Sequence, residues 1–148
     1  MGFLDSIFRR TADPRQTIRR FEEDLQIQRN QLFGITLFSQ GVELMYGGQR
    51  EMLEISRQSF QDIKERAESS ISAAESLLQL VKVDPGKVKK LRRFQFPPIT
   101  GHPMLDQMTR RAQILVETYE RLFPGRSRSE PLSREELESL MTDAADQL

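Results

Sequence analysis

Hydrophobic positions recur along this chain at helical rather than strand spacing. In residues 3–10, FLDSIFRR, Phe3, Leu4, Ile7 and Phe8 share one side at 100° per residue. Asp5, Ser6, Arg9 and Arg10 take the other, which predicts a short amphipathic helix. Asp13-Pro14 ends it and opens the next, an Asp cap before a first-turn Pro. From there Ile18, Phe21, Leu25, Leu32, Ile35 and Val42 follow three–four spacing, with Gln28 and Ser39 filling the gaps. A long helix to about Tyr46 is predicted, with Gly47-Gly48 as its stop. The stretch LFGITLF (32–38) is rich enough in Phe, Ile and Thr to compete as a strand.

A second long helix is predicted over residues 50–82. Its stripe is Leu53, Phe60, Ile63, Ala67, Ala74, Leu77 and Val81, completed by Ser56 and Ser70. Two long helices joined by Gly-Gly should fold back as an antiparallel hairpin. Gly34 and Gly41 lie one heptad apart, and Ala67, Ser70 and Ala74 are the small residues of the next helix. The expectation is a tight seam in which these two sets face each other.

Asp84-Pro85-Gly86 reads as a turn, and Phe94, Phe96, Pro97 and Pro98 as an extended piece. Pro103 then opens a third core helix, with Leu105, Met108, Ala112, Leu115, Tyr119 and Leu122 as its stripe; Pro124-Gly125 closes it. Residues 126–131, RSRSEP, read as a flexible polar linker. Ser133 with Glu136 forms a capping box that starts an acidic helix striped by Leu137, Leu140, Met141 and Ala144. The predicted fold is all-α: a long antiparallel helical hairpin plus a third core helix, with short amphipathic helices at both termini. Three segments follow: 1–12, 13–124 and 125–148.

Composition narrows the chemistry. Lys+Arg and Asp+Glu are 22 each, so a uniformly basic, histone-like chain is excluded. There is no Cys and only 1 His, which removes disulfides, Cys-zinc sites, iron–sulfur clusters and most triads. His102, before Pro103, reads as a cap or turn residue. No Glu-x-x-His pair and no phosphate-binding Gly-rich loop occurs, because Gly47-Gly48 lacks the Lys-Ser/Thr that such a loop needs. An enzyme is not expected, and neither is a cofactor, a metal or a small-molecule substrate.

Two surface chemistries remain. A helix as short as residues 3–10 is marginal alone in water, so something must cover Phe3, Leu4, Ile7 and Phe8. A bilayer interface would take the apolar face and place Arg9 and Arg10 among anionic headgroups. The alternatives are docking on the hairpin or on a partner protein. The run KVKKLRRFQF offers Lys87, Lys89, Lys90, Arg92 and Arg93 to a polyanion. That polyanion would be anionic lipid or, with Phe94 and Phe96 stacking on bases, nucleic acid. Nucleic acid is disfavoured by the balanced charge and the lack of a recognised motif. In the solvated-face alternative, Leu91 and Phe94 enter the core. The acidic helix would either dock through Leu137, Leu140, Met141 and Ala144, on another subunit or protein in preference to the basic run of its own chain, or be a frayed tail.

The segment MGFLDSIFRR resembles the membrane-targeting amphipathic helices of bacterial peripheral proteins. Read with Asp13-Pro14 and IRRFEEDL (18–25), it is similar to the phage shock protein A family, bacterial kin of ESCRT-III. The likeness covers residues 1–25 only; the first helix and the hairpin are shorter than in that family, and the Phe-Pro-Pro stretch has no counterpart there. It implies peripheral membrane binding and self-assembly. MGFLDS also matches the N-myristoylation pattern, with Gly2 and Ser6 in register, although that modification is essentially eukaryotic. The expected function is a non-enzymatic, peripheral membrane-associated scaffold or adaptor, cytoplasmic at the inner face of the membrane and self-associating. Its rivals are a soluble helical interaction module and a nucleic-acid-binding protein using residues 87–96.

Overall fold

The computed structural model describes residues 13–46, 50–96 and 103–148, and among these every regular element is helical. The expectations for Gly2, Phe3, Leu4, Ile7, Phe8, Arg9, Arg10, Gly47, Gly48 and His102 lie outside the described residues. The elements are α1 (Pro14–Tyr46), α2 (Arg50–Val83), a 3-10 turn (Pro85–Lys87), α3 (Lys89–Arg93), α4 (Pro103–Leu122) and α5 (Arg134–Ala144). LFGITLF is helical within α1.

Local signals set these boundaries. Asp13 caps α1: its carboxylate accepts from Arg15 N at 3.0 Å and its carbonyl from Thr17 N at 3.1 Å. Asp84 repeats the device for the 3-10 turn, accepting from Gly86 N at 3.2 Å. Ser133 and Glu136 form the reciprocal capping box of α5. Gly125 ends the turn after α4 with φ +76°, a left-handed conformation that costs glycine nothing and a Cβ-bearing residue something.

The chain divides into two compact units, and the division falls within the two long helices. The first unit holds residues 13–29 and 68–96. Here α1 and α2 run antiparallel: Lys82 pairs with Glu22 at 3.1 Å and Arg29 with Glu75 at 2.7 Å, so one heptad forward on α1 matches one heptad back on α2. These pairs are half exposed and worth about 0.2–1 kcal/mol each, enough to favour a register but not to hold the unit. Apolar burial does the holding. Phe21 and Leu25 of α1 meet a stripe on α2 in which Ile71, Ala74, Leu78 and Val81 are buried at alternating three–four spacing. Each fully buried Leu, Val or Phe contributes roughly 1.5–3 kcal/mol. Ile71 and Leu78 therefore belong to the stripe beside Ala74 and Val81, whereas Leu77 sits half-buried at its flank.

The second unit holds residues 30–46, 50–67 and 103–148. In it α1 is covered on two sides. Towards α2 it presents Ile35, and Phe38 meets Phe60 edge-on at 5.7 Å. Towards α4 and α5 it presents Phe33, Gly34, Leu37 and Gly41. The core there is Leu37, Leu115, Tyr119, Leu140, Met141 and Ala144. This double coverage is why residues 32–38 are apolar almost all round.

Two expectations are corrected here. Gly34 and Gly41 do not face the small residues of α2. A Cβ on Gly34 would meet the backbone of Ala112, and one on Gly41 the side chain of Met141. The close approach belongs to α1 with α4 and α5, because the glycines lie on the far side of α1 from its α2-facing stripe. Residues 126–131 are also not a free linker. Arg126 pairs with Glu136 and donates to Pro131 O at 3.1 Å. Arg128 donates to Asn30 at 2.6 Å and to Glu120 at 2.7 Å, and its guanidinium lies 4.7 Å from the centre of the Phe33 ring. Polar letters looked like slack; the guanidinium groups turn them into fasteners.

Candidate functional site

The basic run lies against the first turns of α1, within the first unit. After Val83 the chain turns at Asp84 and passes through the 3-10 turn into α3. Val88 and Leu91 are buried, at 8% and 3% exposure, and so fix which side of this short segment faces inward. Lys87, Lys89, Lys90, Arg92 and Arg93 are all left exposed. Arg92 Nη2 donates to Thr17 Oγ1 at 3.2 Å, which ties α3 to the beginning of α1. Lys87 stands 4.0 Å from Asp84, whereas Lys89, Lys90 and Arg93 have no ion-pair partner among the described residues.

Phe94 and Phe96 follow in extended backbone and close the unit. Their rings lie 5.0 Å apart, and each lies 5.6 Å from Phe21. The sequence offered these rings to nucleic-acid bases; instead they pack on Phe21 and on each other, half-buried. The ring cluster braces the basic segment, since aromatic pairs at this spacing add about 0.5–1.5 kcal/mol beyond area burial. A short five-residue helix thereby acquires a fixed position that its own length could not supply.

The acidic helix has a different fate from the one expected of it. Leu140 and Ala144 are fully buried and Met141 is 8% exposed, all inside the core of the second unit, with Leu137 packed at its edge. The surface assigned to a partner is occupied by the helix's own chain. Its charged contacts go to Arg121, which pairs with Asp143, and to Arg126, which pairs with Glu136.

Sequence reasoning missed a groove of about 540 Å³ between α1 and α2 in the second unit. Ile35 and Phe60 contribute its apolar lining, and Ser39, Gln40 and Gln61 its polar lining. The Glu43–Arg57 pair, at 2.7 Å, joins the two helices there. The signal was present as Ser39 and Gln40 interrupting an apolar stripe, but polar residues at such positions read equally well as a solvated face. Among the described residues no group of three or more His, Cys, Asp or Glu side chains is placed to hold a metal ion. No helix among them is long and apolar enough to cross a membrane.

Comparison with protein-family models, with curated proteins and with solved structures returns no match. The functional reading therefore rests on the residues of this chain alone.

Proposed function

We propose that this chain is a non-enzymatic, peripheral membrane-associated scaffold or adaptor that works at the cytoplasmic face of a membrane and self-associates. One observation supports the reading above the others. Arg92 is hydrogen-bonded to Thr17, so the exposed basic run lies beside the first turns of α1, from which residues 1–12 continue. An apolar segment and a cationic segment that start from one place can meet one lipid surface together. Stable anchoring takes two such weak signals. The apolar face of Phe3, Leu4, Ile7 and Phe8 supplies insertion, and Lys87 to Arg93 supply attraction to anionic headgroups.

The test is co-sedimentation with anionic vesicles, comparing the full chain with one lacking residues 1–10. Loss of vesicle binding on deletion is the expected result. Undiminished binding would remove the reading. The rival, a soluble interaction module, draws its support from the groove beside Ile35 and Phe60.

A further inference from the structure

We propose that the first unit meets an anionic, phosphate-bearing lipid surface end-on, through a headgroup-binding face built on α3 and the first turns of α1. This deepens the membrane reading above and rests on it. Glu22 is level with Lys82, near the end of α2, whereas α1 begins at Pro14. The start of α1 thus overhangs the end of α2 by about two turns. Residues 84–93 fold against that overhang, as the Arg92–Thr17 bond records.

The charges are distributed unevenly between this end and the flanks. Arg15, Arg19 and Arg20 are exposed on the overhang and join Lys89, Lys90 and Arg93. The acidic groups at this end are engaged locally: Asp13 caps α1 and Asp84 caps the 3-10 turn. Further along the unit the flanks are acidic. Glu23 and Asp24 are exposed there, while the cations Lys82 and Arg29 are already paired with Glu22 and Glu75. An anionic surface attracts the end and repels the sides, so the helices stand away from the membrane rather than lying along it. The inward anchoring by Val88, Leu91 and the Phe21–Phe94–Phe96 cluster matters here. It holds the cations on a fixed face without a folding cost at the moment of contact.

The experiment uses the full chain with all three of Lys89, Lys90 and Arg93 changed to Gln. Flotation is measured on vesicles of pure phosphatidylcholine and on vesicles containing phosphatidylglycerol. These side chains are exposed, so helicity and melting temperature should be unchanged. Affinity for the anionic vesicles should fall about 100-fold, a drop that raised salt mimics in the unmodified chain. Orientation is read separately, with a fluorophore on single cysteines at Gln16→Cys and Ser72→Cys, in a chain that has no Cys of its own. The two sites lie roughly 25 Å apart along the helix axes. Quenching by headgroup-labelled lipid at position 16 but not at position 72 is the expected pattern. Equal quenching at both would overturn the end-on arrangement. Unchanged affinity of the triple variant for anionic vesicles would overturn the headgroup face while leaving the membrane reading standing. No vesicle binding by the unmodified chain would sink both. Tighter binding of the unmodified chain to single-stranded RNA than to anionic vesicles, lost in the triple variant, would overturn the proposal by reassigning the face to nucleic acid.

Discussion

Gly34 packs against Ala112 so closely that a methyl group on the glycine would come within 2.8 Å of Ala112 Cβ and closer still to the Ala112 carbonyl. Backbone cannot step aside as a side-chain end can. Gly34→Ala should therefore force α1 and α4 apart and cost about 1–3 kcal/mol. Gly41→Ala meets only the flexible thioether of Met141, with Cε at 2.6 Å, and should cost less because Met has other rotamers to use. Thermal melts of the two variants check the order; a larger loss for Gly41→Ala would mean that the α1–α4 contact is looser than this spacing implies.

Ser70 lies inside the α2 stripe, and its buried hydroxyl has no hydrogen-bond partner among the described residues. A hydroxyl in that position has lost its water without replacing it. Ala is also the better helix former by about 0.5 kcal/mol. Ser70→Ala should accordingly raise stability by roughly 0.5–1.5 kcal/mol. A denaturant midpoint that falls would show that the hydroxyl has found a partner in solution.

Arg126 fastens α5 to the loop that precedes it. Its guanidinium pairs with Glu136, and Glu136 in turn accepts from Ser133 N at 3.0 Å as the capping box requires. Both side chains are largely shielded, at 23% and 29% exposure, so truncation leaves a carboxylate short of solvent and without its cation, with only the Ser133 N–H still donating to it. Arg126→Ala should cost about 1–3 kcal/mol. The loss should appear first as faster amide exchange in residues 134–144. Protection there equal to that of the parent chain would show that apolar packing alone holds the helix.

Removing α5 should unmake part of the core rather than trim a tail. Leu140 is fully buried against a cluster that includes Leu37, Leu115 and Tyr119. Leu140→Ala should cost about 2–5 kcal/mol. A chain ending at Gly125 should melt earlier and expose apolar surface to a hydrophobic dye. Identical melting of full and shortened chains would mean that α5 is dispensable to the fold.

The amphipathic segment gives a separate prediction. Phe3→Asp or Ile7→Asp should weaken binding to anionic vesicles without altering the melt, because a carboxylate does not enter the acyl boundary cheaply. Full vesicle binding by both variants would move the apolar face from lipid to some other contact.

Element boundaries were legible from residues alone, since their causes are local. Asp13-Pro14, Asp84-Pro85, Ser133 with Glu136, and Pro124-Gly125 act within a turn or two of chain, and the observed helices begin and end at them. The antiparallel hairpin was legible for a similar reason: two heptad stripes of similar length have each other to bury against. The tertiary structure decided what lies on the other side of α1. Gly34 and Gly41 could be recognised as small, but nothing in the local pattern says which neighbour they admit, and the answer is α4 and α5. The same holds for Arg126 and Arg128, solvated in any one-dimensional reading and engaged once Glu136, Asn30 and Phe33 are brought to them. It holds for Phe94 and Phe96 too, whose rings were open to any flat partner until Phe21 was found to supply it. Caps and periodicity are properties of neighbouring residues. Partner choice among arginines, glycines and rings depends on residues ten to about a hundred positions away, and only the folded chain brings those together.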